Sequence, residues 1–368
     1  MKLTILTDIF KNKISIAERF TGKNITLPIL GNILLQAEGQ NLKIIATNLE
    51  IACVLNINVK INQEGSLTVP ARSFTSFIQS LPSNKKLTLE DKNGVLYLDA
   101  EMIKSKVNTI PPKDFPLIPK NKKENGITIK LPEFQEALQS VIPAVSSSQI
   151  KPELNGIYVS WNEKNKTLTC AATDSFRLAE VKIFTDTKSN QDFSFILPFR
   201  SAQEFIHFSS DAEIAELIYG ESQIRLVAGD DEIISNTTNG LFPQYTSIIP
   251  KKFDTQVEVE TKSLIDSVKS TSFFSSRLQD VTIQAQASDA IEVHSENPEI
   301  GETTSSLKSV VQGNPVSITF NHKFFLDGLS PIKSGKIILS LNNESSPALI
   351  RGTDNPSYMY LIMPLKGM

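Results

Sequence analysis

Residues 170–180 read CAATDSFRLAE, placing hydroxyls, a carboxylate and a guanidinium within five positions at Thr173, Asp174, Ser175 and Arg177. Such a set could activate a nucleophile or hold a phosphoryl oxygen. The groups that usually complete that chemistry are missing. His207, His294 and His322 are the only histidines, and none stands at metal-ligand spacing from another or from Cys53 or Cys170. There is no Gly-rich phosphate loop followed by Lys-Ser/Thr, no dinucleotide fingerprint, no His-Glu-x-x-His and no nucleophile elbow. The acidic GDDE at 229–232 separates IRLVA from IISN and reads as a hairpin tip rather than a metal site. No catalytic residue, metal ligand or cofactor is assigned.

The elements that position the cluster recur along the chain. LKIIATNLEIA (42–52), LTCAATDSFRLA (168–179) and, more degenerate, IEVHSENPEIGE (291–302) each carry an apolar strand into a polar turn. Asn48, Asp174 and Asn297 mark corresponding positions, where an Asx side chain can bond local backbone amides. LTVPARSFTSFIQSLP (67–82), FILPFRSAQEFIHFS (195–209) and ITFNHKFFLDGLSP (318–331) keep the same period, each a strand running into an amphipathic helix. KDFPLIP matches GLFPQYTSIIP, and each unit opens with a strand and a helix. Several landmarks in one order at one spacing predict three tandem α+β domains of about 125 residues, each with two helices on antiparallel sheet. The boundaries fall in the Pro/Lys-rich joints, giving domains at 1–122, 123–250 and 251–368. The segment Phe176-Arg177-Leu178 has no counterpart in the first copy, which reads Glu50-Ile51-Ala52, so it belongs to the middle domain alone.

The 368 residues carry a net charge of −3, with 40% apolar and 21% charged residues, as expected of a globular protein. Cys53 and Cys170 sit in apolar stretches and read as buried thiols of a reducing compartment; a disulfide between them is possible but not required. The N-terminal apolar run is too short for a signal peptide, and no run approaches the roughly 18 residues of a membrane span. A cytoplasmic location is expected. An acidic chain can still hold a basic face. Lys11, Lys13, Arg19 and Lys23 fall in the first helix region, Lys262, Lys269 and Arg277 in the third unit, and Arg72 and Arg200 open second helices. Cations at equivalent helix positions would attract a phosphate backbone without reading bases.

TLPILGNILL (26–35), TVPAR (68–72), LNG (154–156), ATDSFRLA (172–179), FPQY (242–245), FN (320–321) and YLIMPLK (360–366) occur in that order. Together they resemble the bacterial DNA polymerase III beta subunits, the sliding clamps, over essentially the whole chain. The resemblance implies a head-to-tail homodimer of six domains in a closed ring, helices lining the hole and a β layer outside. It implies a cytoplasmic, non-catalytic processivity factor of DNA replication that encircles duplex DNA without sequence preference and has no cofactor. Partners would be the polymerase III alpha subunit, an ATP-driven clamp loader and other proteins carrying clamp-binding peptides, with no membrane partner. DNA contacts carry over to Arg72, Arg200 and Asn321, with weaker ones at Lys23 and Phe324. A groove for partner peptides carries over to Leu154, Thr173, Ser175, Phe176, Arg177, Leu178, Pro243, Ile248, Ser346, Leu361, Met363, Pro364, Leu365 and Lys366.

Some positions depart from the family pattern. Ser175-Phe176 stands where Gly followed by His or Tyr is common, a basic residue is missing near Ser247, and Ser105 replaces an aromatic at the implied dimer edge, for which Phe273 and Phe274 on the opposite edge could compensate. Two other readings stay open on the sequence alone. A hydrolase or transferase using Asp174 and Arg177 would lose turnover in Asp174→Asn. A peptide-binding scaffold that never encircles DNA would not need the recurrent helix cations.

Overall fold

In the computed structural model, residues 1–22, 27–118, 125–148, 150–187, 189, 191–286 and 289–365 are described. Six α-helices lie among them, two per repeat: α1 (Thr7–Arg19), α2 (Ala71–Ser80), α3 (Leu131–Val141), α4 (Phe199–Ile206), α5 (Thr261–Thr271) and α6 (His322–Leu329). Each follows a strand directly, as the repeated strand-to-helix pattern predicts. The spacing of apolar residues explains their packing. α1 buries Phe10, Ile14 and Ala17, three and four apart on one face, and α2 buries Ala71, Phe74, Thr75 and Ile78. Phe10 and Phe74 meet edge to face at 6.0 Å, which joins the two helices. No helix among the described residues is long and apolar enough to cross a membrane.

Contacts divide the chain into two compact units. The first, chiefly Met1–Pro132 and Gln203–Thr237, holds a five-stranded and an eight-stranded antiparallel sheet. The five-stranded sheet ends at Ile103–Asn108, which pairs only with Val95–Ala100. In the eight-stranded sheet Asp231–Asn236 lies beside Ile51–Asn58, with Ile234 opposite Ala52. GDDE is a hairpin tip, Ala228 facing Asp231 across the turn. The second unit, chiefly Glu133–Asp186 and Thr238–Met368, holds a twelve-stranded antiparallel sheet. Within it Arg177–Phe184 pairs with Tyr358–Ile362, Leu178 opposite Leu361. The two units therefore cut across the middle repeat, because strands of successive repeats complete one another's sheets and leave no exposed edge at the joint.

Two glycines permit close approach. A Cβ on Gly156, in the LNG motif, would lie 2.5 Å from the Leu197 carbonyl of the paired strand. One on Gly328 of α6 would lie 2.3 Å from the Tyr360 ring. Tyr358 donates to the Gly328 carbonyl (3.1 Å) and Tyr360 to that of Phe324 (2.8 Å), so α6 rests on the strand Tyr358–Ile362. Cys53 and Cys170 are both buried and free. Burial raises both thiols, Cys170 to about 12, so neither is a reactive thiolate.

Candidate functional site

The turn at 173–177 is built by its own side chains. The Thr173 hydroxyl donates to the Arg177 carbonyl (2.6 Å) and accepts from the Ser175 amide (3.2 Å). One Asp174 oxygen accepts from the amides of Phe176 (2.9 Å) and Arg177 (3.0 Å), while Ser175 takes the left-handed conformation, φ 79°. The first repeat makes the same turn bond for bond. Thr47 donates to the Ile51 carbonyl (3.1 Å) and accepts from Leu49 (3.0 Å); Asn48 accepts from Glu50 (3.0 Å) and Ile51 (2.9 Å); Leu49 has φ 78°. An amide oxygen does there what a carboxylate does here, so this oxygen of Asp174 shapes the turn. In the third repeat Asn297 accepts only from Glu299 (3.0 Å) and donates to the Ser275 carbonyl (3.1 Å). The degenerate sequence has lost the threonine and with it half of the network.

The second Asp174 oxygen accepts from Nε of Arg177 at 2.9 Å. The guanidinium also pairs with Asp327 of α6 and lies 4.0 Å from the centroid of the Phe324 ring. With its side chain only 10% exposed and ringed by these three partners, Arg177 is held as a strut. What first reads as a catalytic cluster is thus a hydrogen-bonded turn and an ionic brace.

Around this turn the joint brings together Phe176, Leu178, Leu361 and Met363 of the expected groove residues. The Met363 amide donates to the Phe176 carbonyl (2.8 Å), extending the pairing past the strand ends. Beneath it, Leu178 and Leu361 form one apolar cluster with Ala171, Tyr245, Leu349 and Met359. The FPQY segment is pinned to this cluster. Phe242 stacks on Tyr158 at 5.0 Å, and Tyr245 donates to the buried Glu180 carboxylate at 2.6 Å. Burial and the Glu180 charge raise the Tyr245 phenol far above its ordinary value, so it stays a donor. Phe176 is 63% exposed, Ile248 56% and Met363 38%. Pro243 and Ser175 are exposed, and Ser346, Pro364 and Leu365 are half-buried. Leu154, Thr173, Leu178 and Leu361 are buried; Lys366 lies outside the described residues. Glu180 and Tyr158 were not legible as parts of this region; the FPQY–FPLIP match was the available signal.

The residues expected to meet DNA stand in distinct settings. Arg72 and Arg200 are exposed second residues of α2 and α4. Asn321 caps α6, its side-chain oxygen accepting from the amides of Lys323 (3.0 Å) and Phe324 (3.2 Å). Phe324 lies under Arg177, and Lys23 is outside the described residues. The basic face expected of α1 needs correction. Lys13 pairs with Asp231, Arg19 with Glu204 at 3.2 Å, and Lys11 donates to the Leu81 carbonyl. These cations bind the protein's own acceptors, which sequence could not show because their partners are far along the chain. Lys262, Lys269 and Arg277 are exposed. A group also missed is His294, Glu296 and Glu302, whose ligand atoms lie within 4.8 Å of one another; Glu302 reaches it through hairpin register rather than local spacing.

Comparison with known proteins agrees with this architecture. Three family models match in order: the DNA polymerase III beta subunit N-terminal domain at 1–119, its central domain at 128–244 and its C-terminal domain at 246–366. The beta sliding clamp of Bacillus subtilis is 26% identical over 379 residues, covering all of both chains. That of Rickettsia felis is 26% identical over 388 residues, again over the full length of both. Among solved structures, the Bacillus subtilis sliding clamp superposes with a TM-score of 0.95 at 24% identity, and the Thermotoga maritima beta subunit with 0.92 at 25%, each over the whole of both chains. With all three domains matched in order, the chain belongs to the DNA polymerase III beta subunit family, the non-catalytic sliding clamps that confer processivity.

Proposed function

We propose that two copies of the chain close head to tail into a ring around duplex DNA, and that the groove above Leu178 and Leu361 takes the peptides of the replicative polymerase and other partners. One observation carries the ring. The joint between successive repeats is made twice within the chain, by Asp231–Asn236 on Ile51–Asn58 and by Tyr358–Ile362 on Arg177–Phe184. Both halves of a third such joint are present and unused. Ile103–Asn108 is an unpaired edge of its sheet. Gly301–Lys308, the first part of the strand Gly301–Gly313, pairs on one side only, with Ala290–Asn297, because Thr255–Glu260 meets only its later residues. A donor edge and an acceptor edge on one chain are what a heterologous, closing contact requires. Charges agree: Lys104 and Lys106 lie on the donor edge, Glu296, Glu299 and Glu302 on the acceptor hairpin. Phe273, 80% exposed, supplies apolar area in place of an aromatic at Ser105.

On this reading Arg72 and Arg200 meet phosphates, with Asn321 positioning the start of α6 and Lys23 and Phe324 contributing less. Sequence-independent contacts hold DNA loosely, and enclosure prevents loss. A clamp loader would open the ring, and the work is done in the cytoplasm. The proposed 122/123 boundary falls in the gap between the matched N-terminal and central domains, whereas the matched central and C-terminal domains meet at 244/246, a few residues before the proposed 250/251 boundary. The test is retention on DNA. Loaded protein should outlast on circular duplex its lifetime on linear duplex, since only free ends allow escape. Equal lifetimes would overturn enclosure.

A further inference from the structure

The joint that builds the groove above Leu178 has a counterpart in the first compact unit, and it too is shaped as a binding site. The two correspond bond for bond. The Asn236 amide donates to the Glu50 carbonyl (2.8 Å), as that of Met363 donates to Phe176 (2.8 Å). Ile234 faces Ala52 as Leu361 faces Leu178. Between the turn at 47–51 and the segment 116–118 lies a cavity of about 140 Å³ floored by Ile51 and Ile234. Its mouth carries Leu49, 49% exposed, and Leu117, 94% exposed.

Two polar groups at this cavity have no protein partner among the described residues. The Gln223 side-chain oxygen is buried in its wall with no hydrogen-bond partner among the described residues. Its amide nitrogen is already directed at Asn236 (3.3 Å), whose own side chain is bound to the Leu49 carbonyl (3.0 Å). An unsatisfied buried acceptor is costly unless a ligand supplies an N–H. Glu50, on the rim, uses only its backbone in the turn, and its exposed carboxylate has no cation beside it among the described residues. The corresponding turn in the middle repeat has its charge neutralised internally by Arg177 and Asp174.

We infer that this cavity is a second docking site, for a short extended peptide carrying an aliphatic side chain next to a lysine or arginine. The aliphatic group fills a space of one side chain's size, a peptide amide reaches Gln223, and the cation meets Glu50. Charge separates this site from the first groove. The site does not depend on the first groove binding anything, and the two are separately observable.

The test is methyl NMR on the full-length protein labelled at Ile, Leu and Met methyls. The probe is the acetylated, amidated hexapeptide Gly-Ser-Leu-Arg-Ser-Gly. Saturable shifts are expected at Ile51, Leu117, Ile118 and Ile234, with those at Leu178, Leu361 and Met363 unchanged. Glu50→Lys should weaken binding about tenfold or more, as should exchanging the peptide's arginine for glutamate. The Glu50 side chain plays no part in the turn, so that variant keeps the fold, and its unperturbed spectrum checks this. No shifts at several millimolar peptide, shifts confined to the first groove, or undiminished binding to Glu50→Lys would each overturn the proposal. Normal binding of clamp-binding peptides at Leu361 in the same sample would leave the first groove standing.

Discussion

The guanidinium of Arg177 lies 4.0 Å from the centroid of the Phe324 ring, between the carboxylates of Asp174 and Asp327. This contact ties the turn at 173–177 to α6, the helix that Asn321 caps. On the far side of that turn, the Met363 amide donates to the Phe176 carbonyl (2.8 Å).

Replacing Arg177 tests the brace. Arg177→Ala leaves two carboxylates facing a stripped ring, and should cost on the order of 2 kcal/mol, reduced from the buried-pair range because Asp327 is partly exposed. Arg177→Lys should recover less than half of this, since an ammonium cannot bond both acids and stack on Phe324. Urea unfolding measures both, and a lysine variant as stable as the parent would contradict the brace.

The residues proposed for the groove separate into buried and exposed positions, and substitutions should follow that division. Leu178→Ala empties a fully buried position and should cost about 2–5 kcal/mol of stability whatever it does to peptides. Met363→Ala and Phe176→Ala, at exposed positions, should leave the melting temperature within a degree or two while weakening a clamp-binding peptide severalfold. Calorimetry of folding and of binding on the same samples distinguishes them. Unchanged binding by both surface variants would remove Phe176 and Met363 from the site.

What was legible in the sequence follows physical range. The threefold repeat, the strand-to-helix openings and the Asx turns are local patterns, and all appear where the spacing put them. Arg177 was rightly set apart from its counterpart Ile51, but its role required Asp327 and Phe324, some 150 residues away. The fate of Lys13 and Arg19 likewise turned on Asp231 and Glu204, acids that no helical periodicity relates to α1. Sheet completion across repeats was hidden for the same reason: register between distant strands is set by tertiary pairing, not by local alternation.

The open edges make a prediction about assembly. Phe273→Asp places a charge on an exposed aromatic beside the acceptor hairpin and should raise the dimer dissociation constant at least tenfold without unfolding the chain. Raising the salt concentration should also weaken the dimer, since Lys104 and Lys106 would face Glu296, Glu299 and Glu302. Sedimentation equilibrium reads both. A salt-insensitive dimer unaffected by Phe273→Asp would place the interface elsewhere.

Gly156 offers a test of the LNG motif. An alanine Cβ would press on the Leu197 carbonyl at 2.5 Å, and a backbone atom in a paired strand cannot yield as a side chain can. Gly156→Ala should destabilise by about 1–3 kcal/mol, the usual cost of overpacking. Gly94→Ala, with nothing within 4 Å of its Cβ but φ 78°, tests backbone strain alone and should cost about 1 kcal/mol. A Gly156→Ala variant as stable as the parent would show that the close approach at Gly156 is unimportant.

Stability should also vary with pH through His322, the first residue of α6. Burial, and secondarily the charge of Lys323, hold its imidazole below the ordinary histidine value, with Asp280 opposing. The folded chain thus favours neutral imidazole, while the unfolded chain takes up a proton near pH 6.5. The contribution is fully present above that unfolded value and is lost as pH falls below it towards the folded one. Between pH 7.5 and 5 the parent should therefore lose more thermal stability than His322→Gln, whose side chain does not titrate. Carboxylates titrate in both proteins and cancel in the comparison. Parallel melting curves across that range would show that folding does not favour the neutral form of His322.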